Sequence, residues 1–293
     1  MVRPQDIHQK NISRFGGIFV ILPFIAFLLA WFWLVRDLRL LYLSGLSFLI
    51  LIFGLLDDKY DLNPFFQLIF QLILAILAIF SGIKIYSITN PFGGFFYLGI
   101  FANLFTILWI AGLVNVINWT DGIDGLACSN GLIGALALCG LSLLPKVNQP
   151  FSAILAGVLA LILAVFLIFN FPPAKIFLGT SGSVFIGFML AVISIISGGK
   201  VATAFLVLGI PIADAIRVVV NRIRLKKSVF RSDRAHLHHR LLDRGFSQKK
   251  ALFTLILFPL AFGFLAIFLQ SLGKFLLILI LPLTFSAILI YYQ

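Results

Sequence analysis

Apolar residues run along this chain in long blocks, broken by short polar connections. Ten blocks are legible, at 17–35, 40–56, 65–81, 98–114, 123–144, 151–169, 183–198, 201–219, 251–270 and 274–291. Each is about 17–22 residues, the length a helix needs to cross a hydrocarbon core of ~30 Å. In lipid such a block must satisfy its own backbone, which a helix does within one segment. The pattern predicts an all-α integral membrane protein, a polytopic bundle of about ten transmembrane helices, in one domain over residues 1–293. The longest polar connection is the stretch 220–250. One connection departs from helix: SITNPFGGFFYLG holds the turn signal NPFGG between short β-prone runs and predicts a small hairpin.

Composition supports this class and narrows it. The chain is 61% hydrophobic and 11% charged, with 33 phenylalanines, whereas soluble domains carry about a quarter charged residues. The net charge of +12 does not indicate nucleic acid, because the cations sit beside apolar blocks, the pattern that sets membrane orientation. Alternate connections carry six of the 22 basic residues, and the other set, with Arg217, carries sixteen. That bias predicts that both termini and nearly all unusual polar groups lie on the cytoplasmic side of the cell membrane. No cleavable leader pattern precedes the first block. Cys128 and Cys139 have no metal or disulfide spacing and read as helix-packing residues.

The candidate chemistry lies on that one face. In NVINWTDGIDGL (115–126), Asp121 and Asp124 stand three apart, a spacing that would place both on one helical face. Carboxylates at the end of a membrane helix need water, a cation or a polar partner. Gly122 and Gly125 would let a phosphate approach the backbone, unless this is a solvated loop capping the next helix. Asp57 and Asp58 close the second block in DDKYD. Adjacent carboxylates repel unless a cation or proton sits between them, and Mg²⁺ favours oxygen ligands; a solvated acidic loop is the plain alternative. Asn63-Pro64 would start the next helix. Asp214 has Arg217 at three residues and reads as either a paired structural charge or a support to the site. The loop SDRAHLHHRLLDR carries His236, His238 and His239 with Arg234 and Arg240, groups suited to gripping a diphosphate. A basic stretch resting on anionic headgroups is the alternative there.

Five motifs appear in order: DDKYD at 57–61, NxxNxxDGxDGLA at 115–127, FLGxSGSxxxGF at 177–188, PxxDxxxVxxxR at 211–222 and DRxHLHHRLL at 233–242. The set resembles the polyprenyl-phosphate N-acetylhexosamine-1-phosphate transferases, which include the phospho-MurNAc-pentapeptide transferases. The HLHHR form is similar to the branch that uses UDP-GlcNAc. The resemblance implies a Mg²⁺-dependent (or Mn²⁺-dependent) phosphoglycosyltransferase. It would pass HexNAc-1-phosphate, GlcNAc-1-phosphate foremost, from a UDP-N-acetylhexosamine to undecaprenyl phosphate in the lipid bilayer, releasing UMP. It implies that Asp57 and Asp58 orient or deprotonate the lipid phosphate, and that Asn118, Asp58 and position 180 hold the metal. Asp121 and Asp124 would contact nucleotide or metal, and His236, His238, His239 and Arg240 the diphosphate or sugar. Asn115, Asn118, Gly182, Ser183 and Arg234 complete the implied substrate contacts.

This sequence departs from the family pattern at three places. Thr180 stands where the third motif normally has an aspartate, and Phe65, Phe66 and Gln67 stand where a lysine or arginine is usual. The pattern has ten spans where eleven are usual, with no counterpart to the helix before Arg14-Phe15-Gly16-Gly17. The first two of these departures motivate an alternative, a non-catalytic paralogue that binds polyprenyl phosphate or partner enzymes. A prenyltransferase has no use for HLHHR, and a transporter would place its charges at mid-membrane depth. Whether two copies form a homodimer is left open, as are the particular HexNAc and glycan.

Overall fold

The computed structural model describes residues 15–198, 200–228 and 235–291. Its helices are α1 (Gly16–Val35), α2 (Leu38–Tyr60), α3 (Pro64–Phe80), α4 (Ala102–Thr120), α5 (Leu126–Leu143), α6 (Pro150–Asn170), α7 (Gly179–Ile196), α8 (Val201–Val207), α9 (Gly209–Arg224), α10 (Leu237–Asp243), α11 (Gln248–Phe268) and α12 (Ser271–Tyr291). Among the described residues eight helices are long and apolar enough to cross a membrane. The pair α8 and α9, bent by 76° at its break, forms either a broken span or a re-entrant loop, while α3 is a shorter apolar helix. The protein is a multi-pass membrane protein. The single straight helix expected at 201–219 is corrected to this broken pair. The block expected to end at 114 continues as helix to Thr120, and the next begins only at Leu126.

Local chemistry sets the boundaries. Asn63 accepts a hydrogen bond from the Phe65 backbone N–H, with Pro64 at the first helical position, so α3 starts where the sequence predicts. Asp61 ends α2 in the left-handed conformation. The hairpin also forms: β1 (Ser87–Thr89) pairs antiparallel with β2 (Phe95–Tyr97), Ser87 opposite Tyr97.

Helix α7 is the core of the bundle. Apolar residues on every side of it are buried, the signature of a helix surrounded by others, and α1, α2, α4, α5, α6 and α8 pack against it. Glycines make that packing close. A Cβ on Gly17 or Gly54 would lie 2.2 Å from Ser181 atoms, so α1 and α2 approach the start of α7 at backbone distance. The polar ends of the bundle differ. One gathers the start of α7, the ends of α2 and α4, and α10. The other holds hydroxyl pairs between Ser142, Ser152 and Ser197, and the Lys274 ammonium donating to Thr203 at 2.8 Å.

Candidate functional site

The acidic half of the site is built from the end of α2 and the start of α7. Asp57 is fully buried, and its Oδ1 accepts a 2.9 Å hydrogen bond from the Gln67 amide on α3. Its Oδ2 is buried with no hydrogen-bond partner among the described residues. Asp58 turns the other way. Its carboxylate accepts from the Thr180 N–H at 2.8 Å and from the Ser181 N–H and Oγ at 3.4 and 3.3 Å. These are N–H groups that the first turn of a helix leaves unsatisfied, and the helix dipole favours an anion there. Two residues on, the Ser183 hydroxyl donates to Asn118 Oδ1 at 2.8 Å and ties α7 to α4. Gly182 is buried with the Cα of Gly17 3.2 Å from where its Cβ would stand, which places it at a helix crossing. Asn115 forms a reciprocal amide pair with buried Gln71, fixing α3 to α4.

The histidine half stands on α9 and α10. Within the loop expected over 232–244, residues 237–243 instead form a short helix, and His236 at its N-cap and His238 and His239 on it are buried. The apolar Leu237 and Leu241 draw this helix into a cluster with Ile123, Leu126 and Leu252, which carries the imidazoles inward. The reading of Asp214 is resolved: Oδ1 accepts from Arg217 at 2.8 Å, and Oδ2 lies 3.0 Å from His236 Nδ1 and accepts from the Leu237 N–H at 3.1 Å. It therefore orients the histidine motif and starts α10. Arg217 also donates to the Ala235 carbonyl. The His236 and His238 rings are parallel with centroids 5.7 Å apart, and Trp119 lies 5.8 Å from His236. Arg240 is half-buried, and Arg234 lies outside the described residues.

The stretch 118–125 joins the halves: Asn118 meets α7, and Trp119 and Gly122 meet the histidines. Asp121 and Asp124 do not share a helical face, because α4 ends at Thr120 and residues 121–125 form turns. Asp124 is buried and accepts from the Ala174 N–H at 2.9 Å, so it anchors the α6–α7 connection. The space beside Gly122 is not open to a phosphate: a Cβ there would meet His238 Nε2 at 2.0 Å. That glycine makes room for an imidazole. Gly125, with φ +75°, permits the left-handed entry into α5.

Burial, then the neighbouring His239 and His236, pushes the His238 imidazole well below its ordinary range, so it is neutral at pH 7 and carries one N–H donor. Burial and then Arg217 and Arg244 lower the Arg240 guanidinium. Among the described residues no group of three or more His, Cys, Asp or Glu side chains gathers as a metal cage. The donors present are nonetheless hard oxygens, and the buried, unpartnered Asp57 Oδ2 is an acceptor suited to a hard cation. Mg²⁺ is usually held by one or two carboxylates plus substrate phosphates, and this arrangement fits that mode. Thr180 and Asn118 could add only neutral oxygens, and Asp58 is engaged with α7.

Two residues escaped the sequence reading. Gln67 counts there only as a missing cation, yet it holds Asp57. Gln71 goes unnoticed; its place one turn after Gln67 on α3 was the available signal, since a glutamine in an apolar block needs a buried partner.

Residues 40–198 match the family model described as Glycosyl transferase family 4. A Bacillus subtilis (strain 168) protein named "Probable undecaprenyl-phosphate N-acetylglucosaminyl 1-phosphate transferase" is 33% identical over 278 residues, covering 91% of this chain and 76% of its own length. The decaprenyl-phosphate N-acetylglucosaminephosphotransferase of Mycobacterium leprae (strain TN) is 31% identical over 300 residues, covering 89% and 74%. The phospho-N-acetylmuramoyl-pentapeptide-transferase of Lactococcus lactis subsp. cremoris (strain MG1363) is 35% identical over 160 residues, covering 53% and 46%.

Proposed function

The chain belongs to glycosyl transferase family 4, and from that premise we propose that it transfers GlcNAc-1-phosphate from UDP-GlcNAc to undecaprenyl phosphate, releasing UMP. The observation that carries this reading is the meeting of five distant stretches at one polar end of an apolar bundle. There, Asn118 meets Ser183 at the start of α7 beside Asp58, and Trp119 and Gly122 meet the histidines of α10. By sequence, sixteen of the 22 basic residues, Arg217 included, fall in the set of polar stretches that carries the motifs, which supports a site on the cytoplasmic face of the inner membrane, where a soluble sugar nucleotide meets a lipid phosphate.

In this reading the lipid phosphate oxygen attacks the β-phosphorus of UDP-GlcNAc. The bond from that phosphorus to the oxygen bridging the α-phosphate breaks, and UMP leaves with that oxygen. Such transfer depends on positioning and charge neutralisation. Mg²⁺ (or Mn²⁺), when bound, supplies charge neutralisation along the diphosphate. Asp57 Oδ2 orients the acceptor phosphate and takes its proton if it carries one. Asp58 fixes the start of α7. The His236–His239 surface and Arg240 face the diphosphate and sugar with N–H donors, and Asp214 keeps His236 in place. Asp121 lines the turn between the two halves.

A second reading, a paralogue that binds polyprenyl phosphate without turnover, is favoured by one observation: Asp58 is occupied by α7, and Thr180 offers no charge beside it. Purified protein with UDP-GlcNAc, undecaprenyl phosphate and Mg²⁺ separates the two. Stoichiometric UMP and lipid-linked GlcNAc diphosphate support transfer. Lipid binding with no UMP from any UDP-HexNAc leaves the second reading.

A further inference from the structure

The hairpin between α3 and α4 lies at the end of the bundle opposite the candidate site, and its outer surface is aromatic. Phe92 is 82% exposed and Tyr97 79%, and Ile100 just beyond is 89% exposed. Successive residues of a strand point to opposite faces, and Phe95, Phe96 and Tyr97 of β2 are all exposed, so both faces of that strand are apolar. The hairpin is nevertheless firmly placed. Ile83 and Ile85 before it are buried, the Ile85 N–H donates to the Thr106 hydroxyl of α4 at 3.0 Å, and Ile88 of β1 packs on the core. Its level is fixed at both ends. The apolar span that finishes at Thr120 begins at Gly99, directly after β2. At the tip, the Phe92 ring lies 6.3 Å from that of Phe275, close to the start of α12, which is itself a span. The hairpin therefore lies across the bundle at the level where spans begin.

We propose that this hairpin is an interaction surface for phospholipid, lying in the boundary between headgroups and acyl chains rather than projecting into water. Two opposing demands set its depth. Aromatic rings favour that boundary, and a contiguous apolar patch is rarely left facing water without a partner. The outer edge of β2, which pairs only with β1 among the described residues, needs water or headgroup partners, so the hairpin does not sink into hydrocarbon. Helix length points to the same occupant. With 17 residues, α3 is about 26 Å long at 1.5 Å per residue, short of a ~30 Å core. The hairpin that follows it supplies the missing apolar height on that side. The Lys84 ammonium lies 5.3 Å from the centre of the Tyr86 ring at the hairpin's base, a cation and an amphipathic ring of the kind that anchor a protein at this level. A second copy of the chain could cover the aromatic rings but would leave α3 short. The inference stands whether or not the chain transfers a sugar phosphate.

The test is fluorescence quenching of the full chain in phosphatidylcholine nanodiscs, which leave both faces open to solvent. A nitrobenzoxadiazole label is placed through Phe96→Cys in a Cys139→Ala background, Cys128 being fully buried. Phe92→Cys repeats the measurement at the tip, so that one misfolded variant does not decide it. Lys249→Cys, on an exposed residue at the start of α11, is the aqueous control. Phosphatidylcholine carrying a nitroxide high on its acyl chain should remove most of the emission at positions 92 and 96, and a nitroxide deep in the chain much less. Aqueous iodide should remove most of the emission at position 249 and little at 92 or 96. Iodide quenching at 92 and 96 equal to that at 249 would place the hairpin in water and overturn the inference. Shielding from iodide and from both lipid quenchers would mean that protein, such as a second copy, covers it, which also overturns the inference. Strongest quenching by the deep nitroxide would contradict the boundary depth.

Discussion

Two buried aspartates, Asp57 on α2 and Asp214 on α9, sit in opposite electrostatic situations. Asp214 has both oxygens engaged, by a guanidinium, an imidazole and a backbone N–H. Among the described residues Asp57 has a neutral amide partner on one oxygen, and its other oxygen is buried without one. A buried charge is tolerated when paired and hydrogen-bonded, and is costly otherwise. The first arrangement is therefore scaffold. The second holds a cost that a bound cation or phosphate proton would relieve, and such a cost is expected where ligands bind. Residue type alone does not distinguish them; what fills the lone pairs does.

That contrast can be broken by replacing each acid with its isostere. Asp57→Asn should lower turnover by about 10²–10³-fold, the scale of losing a group aimed at the reacting centre, while melting temperature holds or rises because an unpaired buried charge is gone. Asp214→Asn should do the reverse in stability, costing on the order of 3 kcal/mol by leaving Arg217 and His236 without their anion. Melts and steady-state rates of the two variants side by side check this, and similar behaviour would erase the distinction. A smaller effect is expected at Gly122. Gly122→Ala forces the His238 ring aside and should cost about 1–3 kcal/mol, with lower turnover and little change at the Asp57 side.

The mildest test is pH. His238 stays neutral well below the pKa of about 6.5 that it would have in the unfolded chain. As pH falls through that value the unfolded chain takes up a proton that the folded one refuses, so stability falls toward acid and is fully present above about pH 6.5. Melts from pH 8 to 5 should show this acid-side loss, reduced in His238→Asn.

The apolar blocks announced the bundle because a membrane helix must be long, apolar and self-satisfied in its backbone. NPFGG announced the hairpin, and Asn63-Pro64 the start of α3. The five motifs correctly named stretches that meet, although nothing local in them says how. The break at Leu208 was hidden because α8 and α9 are both helical and apolar enough to read as one run. Three-residue spacing misplaced Asp121 and Asp124, since α4 stops at Thr120. Gly122 was legible as a special position but not for its reason, because the imidazole that needs its space comes from more than a hundred residues away. The burial of the three histidines was likewise set by Leu237 and Leu241, whose partners Ile123 and Leu126 are more than a hundred residues away.

The central claim is that the acidic and histidine halves serve one ligand. Hydrogen–deuterium exchange of the purified protein, titrated with UDP-GlcNAc and Mg²⁺, tests it most directly. The account predicts that amides at the start of α7 (179–183) and along α10 (237–243) become protected together, with one midpoint, while the hairpin at 87–97 is unchanged. Protection at only one of the two stretches, or at two separate midpoints, would contradict it.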